Sequence, residues 1–81
     1  MSSEYPPITC KELKLILAYL DFVAHKRTGT SHEQWIKDEN GRRYKVTVDC
    51  PKSPFLQNLI SIMAQQAGTT KKHFFQILKN L

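Results

Sequence analysis

The chain has 81 residues, which is enough for one small domain with a modest core. Lys and Arg outnumber Asp and Glu by 12 to 7, and the net charge of +5 favours a polyanion or an acidic protein as partner. No apolar run approaches the roughly 18 residues that a membrane-spanning helix needs, and the polar start has no signal-peptide pattern. We therefore expect a cytoplasmic protein with no membrane contact, built as one domain over residues 9–81 after a flexible segment over residues 1–8.

The chain contains two cysteines, Cys10 and Cys50, and they lack C-x-x-C spacing. Two cysteines are too few for a disulfide scaffold, so the sequence favours free thiols in a reducing cytoplasm. Together with the three histidines, they provide no pair at the spacing of zinc ligands. The sequence therefore predicts no metal site and indicates no other cofactor.

The first predicted element is a helix over residues 10–20. Thr9 and Glu12 match a capping box, in which the hydroxyl of Thr9 accepts from the amide of Glu12 and the carboxylate of Glu12 accepts from the amide of Thr9. An apolar stripe follows at helical spacing, formed by Leu13, Ile16, Leu17 and Leu20.

Three strands are predicted next, over residues 22–28, 31–38 and 42–49. Asn40-Gly41 is a strong hairpin signal between the second and third strands, because both positions tolerate positive φ. The third strand alternates most clearly, with Tyr44, Val46 and Val48 on one face and Arg43, Lys45 and Thr47 on the other. Such alternation is typical of a sheet that is covered on one side only.

Two helices are predicted to close the chain. Ser53 and Pro54 fit the cap and the first position of a helix over residues 54–67. Thr70 can cap a last short helix that turns three apolar side chains inward, namely Phe74, Leu78 and Leu81. The order α-β-β-β-α with an extra C-terminal helix predicts an α+β fold. Both main helices are expected on one face of a three-stranded antiparallel sheet.

Basic residues are concentrated in the strand region. Six of the 12 basic residues fall there: Lys26, Arg27, Lys37, Arg42, Arg43 and Lys45. Clustered cations bind phosphates, with an affinity that falls steeply as salt rises, but a solvated sheet face can carry the same charges. Tyr44 or Trp35 could stack an unpaired base or could belong to the core.

The segment over residues 28–35 holds His32 beside two small hydroxyl residues, Thr30 and Ser31. A histidine titrates near neutrality, so it can take and return a proton. Ribose carries its own nucleophile, the 2′-hydroxyl, and an RNA-cleaving site therefore needs little beyond a general acid or base and nearby cations. His32 fits that minimum, and His25 could be a second proton carrier. From the residues alone, an ordinary polar strand residue is the favoured interpretation of both.

The same segment resembles the signature of the HicA toxins, small mRNA interferases of toxin–antitoxin pairs. These proteins typically carry a Gly-Ser-His run followed by an aromatic residue. The matching residues are Ser31-His32 and Trp35, with Thr30 at the place of the usual glycine. The similarity runs from about residue 9 to residue 78 and includes the hairpin at 40–42.

The resemblance implies a double-stranded-RNA-binding-like fold and a metal-independent endoribonuclease that cleaves mRNA, with His32 as general acid or base. It also implies a HicB-type antitoxin that covers the site with an acidic surface. The RNA contacts are expected from hydroxyl and basic residues near His32: Lys26, Arg27, Thr30, Ser31, Lys37, Arg42, Arg43 and Lys45. The alternatives are a non-catalytic RNA-binding module of the same fold and a protein-interaction domain with a basic face.

Overall fold

A computed structural model describes residues 5–26 and 29–81. The elements, in chain order, are α1 (Cys10–Tyr19), β1 (Val23–Lys26), β2 (His32–Glu39), β3 (Arg42–Asp49), a 3-10 turn (Cys50–Lys52), α2 (Gln57–Gln66) and α3 (Lys71–Lys79). The central strand β2 pairs antiparallel with both β1 and β3. The predicted α+β architecture with a three-stranded antiparallel sheet is confirmed. In these two ranges, no helix has the length and apolar character to cross a membrane.

Local sequence signals set several element boundaries as predicted. The capping box at the start of α1 is present, with Thr9 and Glu12 each accepting from the other's backbone amide at 2.9–3.1 Å. Asn40 and Gly41 turn with φ of 52° and 77°, and the predicted bounds of β3 are confirmed. The predicted first strand extended to residues 27–28, which lie outside the described residues.

The sheet has one face covered by helices and one open face. Cross-strand partners share a face, and the pair Trp35 and Val46 is buried while the next pair, Gln34 and Thr47, is not. The covered face carries the side chains of Glu33, Trp35, Lys37, Tyr44, Val46 and Val48. Apolar residues from all three helices join Trp35 and the two valines in one core. Trp35 is therefore a core residue.

Two charged side chains on the covered face are neutralised inside the fold. Glu33 accepts from Nζ of Lys14 at 3.2 Å and from Nε1 of Trp35 at 3.1 Å. Burial raises the pKa of Glu33, but the hydrogen bonds from Lys14 and Trp35 outweigh it, and the pKa lies below its ordinary value. Lys37 places its ammonium 5.1 Å from the ring centroid of Phe22 and 5.6 Å from that of Tyr44.

The second main helix begins later than predicted. α2 starts at Gln57 and has no side-chain cap, so the predicted start at Pro54 under a Ser53 cap is wrong. The hydroxyl of Ser53 accepts instead from the backbone amide of Cys10 at 2.9 Å, at the start of α1. Phe55 is held by an isolated bridge, which keeps the backbone extended before the helix.

The predicted flexible segment, residues 1–8, packs on the domain where it is described; its first four residues lie outside the described ranges. Ile8 is fully buried and exchanges two backbone hydrogen bonds with Phe55, at 2.7 and 3.2 Å. The ring of Tyr5 stacks on that of Phe75 with centroids 4.6 Å apart. Helical and strand periodicity did not indicate these contacts, because an isolated bridge has no repeating pattern.

The last helix follows its predicted cap but not all of its predicted inward positions. The hydroxyl of Thr70 accepts from the backbone amide of His73 at 3.1 Å. Phe74 is buried as predicted, whereas Leu81 is 55% exposed and the inward position is taken by Ile77. The reason is that α3 ends at Lys79, so helical periodicity does not extend to the terminus.

Cys10 and Cys50 are joined in a disulfide, so the prediction of free thiols is wrong. Their Cα atoms lie 5.3 Å apart although 40 positions separate them in sequence. The antiparallel sheet brings the end of β3 back to the start of α1, and sequence spacing alone does not reveal this proximity.

Removing the disulfide should destabilise the domain. Replacing both Cys10 and Cys50 with serine is expected to lower the free energy of unfolding by about 2–4 kcal/mol, because the bond closes a long loop in the unfolded chain. Urea unfolding with and without reductant measures this change. Reductant should lower the wild-type midpoint and leave the double variant unaffected. Equal wild-type midpoints in both conditions would contradict the prediction.

A histidine and aspartate pair at the end of the sheet

His32 is the first residue of β2, and its cross-strand partner is Asp49, the last residue of β3. Nε2 of His32 lies 3.2 Å from Oδ2 of Asp49. The histidine side chain is 53% exposed, whereas the aspartate side chain is only 18% exposed. A half-exposed imidazole held by a largely buried carboxylate is the arrangement of a base and the group that orients it.

The two hydroxyl residues before His32 complete this pair. Nδ1 of His32 lies 3.1 Å from Oγ1 of Thr30, which also accepts from the backbone amide of His32 at 3.2 Å. Oγ of Ser31 donates to Oδ1 of Asp49 at 3.1 Å. Both carboxylate oxygens therefore have partners. When Nε2–H donates to Asp49, Nδ1 carries the lone pair that can accept a proton.

Asp49 was missing from the residues predicted for the site, although the sequence contains the signal that places it. A two-residue hairpin turn fixes the register of its strands. Counting outward from Asn40-Gly41 sets His32 opposite Asp49, as observed.

A groove of about 190 Å³ lies beside this pair, between the end of β3 and α2. Its polar wall includes His32, Thr47, Asp49 and Lys52. Lys52 is exposed and has no hydrogen bond or ion pair within the described ranges. The sequence-based set missed Lys52, and it supplies a cation next to His32 that suits a phosphate.

The open face extends from His32 across all three strands. His25 of β1 pairs with Gln34, which makes it a diagonal neighbour of His32 on the same face. Diagonal neighbours in an antiparallel sheet are roughly 7–8 Å apart. Lys45 is exposed on this face opposite Ile36 and has no ion pair among the residues described. The face thus brings together two histidines and an unpaired cation.

Two of the basic residues predicted to bind RNA extend from the covered side of the sheet. Lys37 has a side chain only 17% exposed and lies 3.6 Å from Glu39. Lys26 lies 3.8 Å from Glu33 and remains largely exposed. Lys37 is therefore not brought together with His32 on the open face, whereas Lys26 lines a pocket with His25 and Lys45 of that face.

The remaining predicted cations differ in what already neutralises them. Arg43 lies on the open face and donates from Nε and Nη2 to Asp38 at 2.8 and 3.2 Å, which lowers the pKa of that carboxyl. Arg42 places its guanidinium 5.0 Å from the ring centroid of Tyr44. Arg27 lies outside the described residues. Among the described members of the predicted set, Lys45 is exposed and has neither an ion pair nor a cation–π contact.

No family model, curated protein or solved structure matches this chain. The described part of the chain also contains no group of three or more His, Cys, Asp and Glu side chains that could hold a metal ion. Two features of the chain bear on its function, namely the geometry around His32 and the resemblance of the segment that contains it.

The contact with Asp49 should fix the tautomer of His32. At a pH where the imidazole is neutral, long-range ¹H–¹⁵N spectra should show the Nε2–H form, because Nε2 faces the carboxylate. Asp49→Ala should give a mixture of both forms. Ser31→Ala, which removes one hydroxyl from the carboxylate but keeps Nε2 in contact, should leave the tautomer unchanged. A wild-type protein in the Nδ1–H form would contradict this assignment.

Proposed function

We propose that the chain is a HicA-like toxin, a metal-independent endoribonuclease that cleaves mRNA with His32 as general base. The observation that carries this proposal is the contact between Nε2 of His32 and Asp49, which leaves Nδ1, 3.1 Å from the hydroxyl of Thr30, to accept a proton. The resemblance of the segment to the HicA signature supports the same residue. In this proposal the fold is the double-stranded-RNA-binding-like fold of that family.

The proposed reaction uses the ribose of the substrate as nucleophile. The 2′-hydroxyl replaces the hydroxyl of Thr30 on Nδ1 of His32 and gives up its proton there. The 2′-oxygen then forms a bond to phosphorus as the bond from phosphorus to the 5′-oxygen breaks. In this mechanism His25, a diagonal neighbour on the same face, protonates the leaving 5′-oxygen. The products are a 2′,3′-cyclic phosphate and a 5′-hydroxyl.

Charge complementarity supports both the substrate and the partner. Lys52 beside the histidine and Lys45 on the open face can hold phosphates of a single strand that crosses the end of the sheet. The net charge of +5 also suits an acidic antitoxin of the HicB type. Such a partner would neutralise the toxin by covering His32.

A second candidate is a non-catalytic RNA-binding module. It is favoured by one observation, namely that both ring nitrogens of His32 already have partners, Asp49 and Thr30. In that function the histidine would only stabilise the end of the hairpin, and the open face would bind RNA without cutting it.

His32→Ala should separate these two functions. General acid–base catalysis contributes about 10²–10⁴-fold, so the rate of RNA cleavage should fall by that factor, while the circular dichroism spectrum stays unchanged. The rate is measured on a purified single-stranded RNA. His73→Ala makes the same chemical change on α3, outside the site, and should leave the rate unaltered.

The same assay tests the chemistry. A chelator should not slow cleavage, and an RNA with 2′-deoxyribose at the cut site should resist it because the nucleophile is missing. Cleavage by His32→Ala at the wild-type rate, or inhibition of cleavage by a chelator, would contradict the proposed mechanism. RNA binding without any cleavage by the wild type would favour the second candidate.

Binding should depend on unpaired cations rather than on the total charge. Lys45→Ala together with Lys52→Ala should weaken RNA binding and reduce the slope of log K against log salt by about 0.7 for each single-strand phosphate that the variant no longer neutralises. Arg43→Ala should change the slope less, because Asp38 already balances that charge. Lys72→Ala together with Lys79→Ala, both exposed on α3, is the control for the loss of two charges. If all variants show the same slope, RNA binds at residues other than Lys45 and Lys52.

A further inference from the structure

Helix α2 displays more apolar surface than the core uses. The core takes up Ile60, Met63 and Ala64, which are at most 5% exposed. Ile62 is 49% exposed, and it lines the groove beside His32 together with half-buried Leu59. Ile62 therefore contributes to the groove apolar surface that the core does not cover.

The residues that line this groove are of two kinds. Leu59 and Ile62 of α2 are apolar, and His32, Asp49 and Lys52, from the end of the sheet and the turn after it, are polar or charged. A ligand that contacts both kinds has an apolar ring close to an anionic group that faces Lys52. A nucleotide has this composition, since a base packs against apolar side chains while its phosphate faces a cation.

The size of the groove argues against a larger occupant. Its volume of about 190 Å³ is below the roughly 300–1,000 Å³ of pockets that enclose drug-sized ligands. It therefore suits a single ring better than a helix from another protein. Gln66 lines the groove one helical turn beyond Ile62, and its amide offers both a donor and an acceptor to the edge of a base.

We propose that this groove is a subsite for one unpaired nucleobase of a single-stranded nucleic acid, packed on Ile62 and Leu59 with its phosphate toward Lys52. The proposal rests on the proposed function, in that it assigns to the nuclease a contact with the base next to the phosphate held at His32. The groove would then contribute to the choice of sequence, through Gln66, as well as to affinity.

The experiment compares two probes that the proposed mechanism cannot cut: an oligodeoxyuridine octamer and the same octamer with abasic sugars. Ile62→Ala should weaken binding of the uridine octamer about five- to tenfold and should leave binding of the abasic octamer unchanged. Leu15→Ala is the matched control, because Leu15 is 47% exposed on α1 and does not line the groove. This control should bind both probes like the wild type.

Three results would contradict the subsite. Ile62→Ala could bind the uridine octamer as tightly as Leu15→Ala does, or it could lose the same affinity for both octamers. It could also change the self-association of the protein without changing its affinity for either octamer. Cleavage of a uridine RNA is followed in parallel. If the wild type cleaves RNA and any of these results is found, the nuclease is supported and the subsite is contradicted. If Ile62→Ala loses affinity only for the octamer with bases and the wild type cleaves no RNA, the subsite is supported and only the nuclease is contradicted.

Discussion

The structure depends on one junction, where the start of α1 meets the end of β3. The disulfide between Cys10 and Cys50 crosses it, and Ser53 accepts from the Cys10 amide beside it. An antiparallel bridge between Ile8 and Phe55 joins the segments that flank these contacts. Three different kinds of bond thus fix the residues that directly follow β3. Because Asp49 precedes Cys50, the same junction fixes the carboxylate that contacts His32.

The junction also positions α2, and with it the groove. Phe55 is held extended by Ile8, so the helix cannot begin at Pro54 and starts at Gln57 instead. From there, α2 runs alongside β3 and presents Ile62 toward the residues around His32. The local helix signal at Ser53-Pro54 was therefore overridden by tertiary contacts.

Sequence patterns predicted the elements whose causes are local. The capping box, the Asn40-Gly41 turn and the alternation of β3 each depend on a few neighbouring residues, and all three are present. Features that depend on distant residues could not be predicted this way, as the disulfide and the start of α2 show. His32 and Asp49 are distant in sequence, but their pairing was predictable from a local signal. The turn at Asn40-Gly41 fixes the register of β2 and β3 as far as this pair at the other end of the hairpin.

The surroundings of the charged residues are another feature that sequence patterns could not predict. Composition counts every cation equally, but the fold gives them different surroundings. Lys14 lies 3.2 Å from Glu33, Lys37 lies 3.6 Å from Glu39, and Arg43 lies 2.8 Å from Asp38. These three charges are already balanced, whereas Lys45 and Lys52 have no ion pair among the described residues.

Thr30 contacts Nδ1 of His32, the nitrogen to which the substrate hydroxyl binds in the proposed mechanism. Its hydroxyl occupies Nδ1 and also accepts from the histidine's own amide, so the ring is held in one orientation before any ligand arrives. A ribose 2′-hydroxyl that replaced it would exchange one hydroxyl for another at the same nitrogen. Such an exchange leaves no polar group unpaired at an exposed site, so its cost is small. The threonine at the place of the family's glycine is therefore compatible with the proposed chemistry.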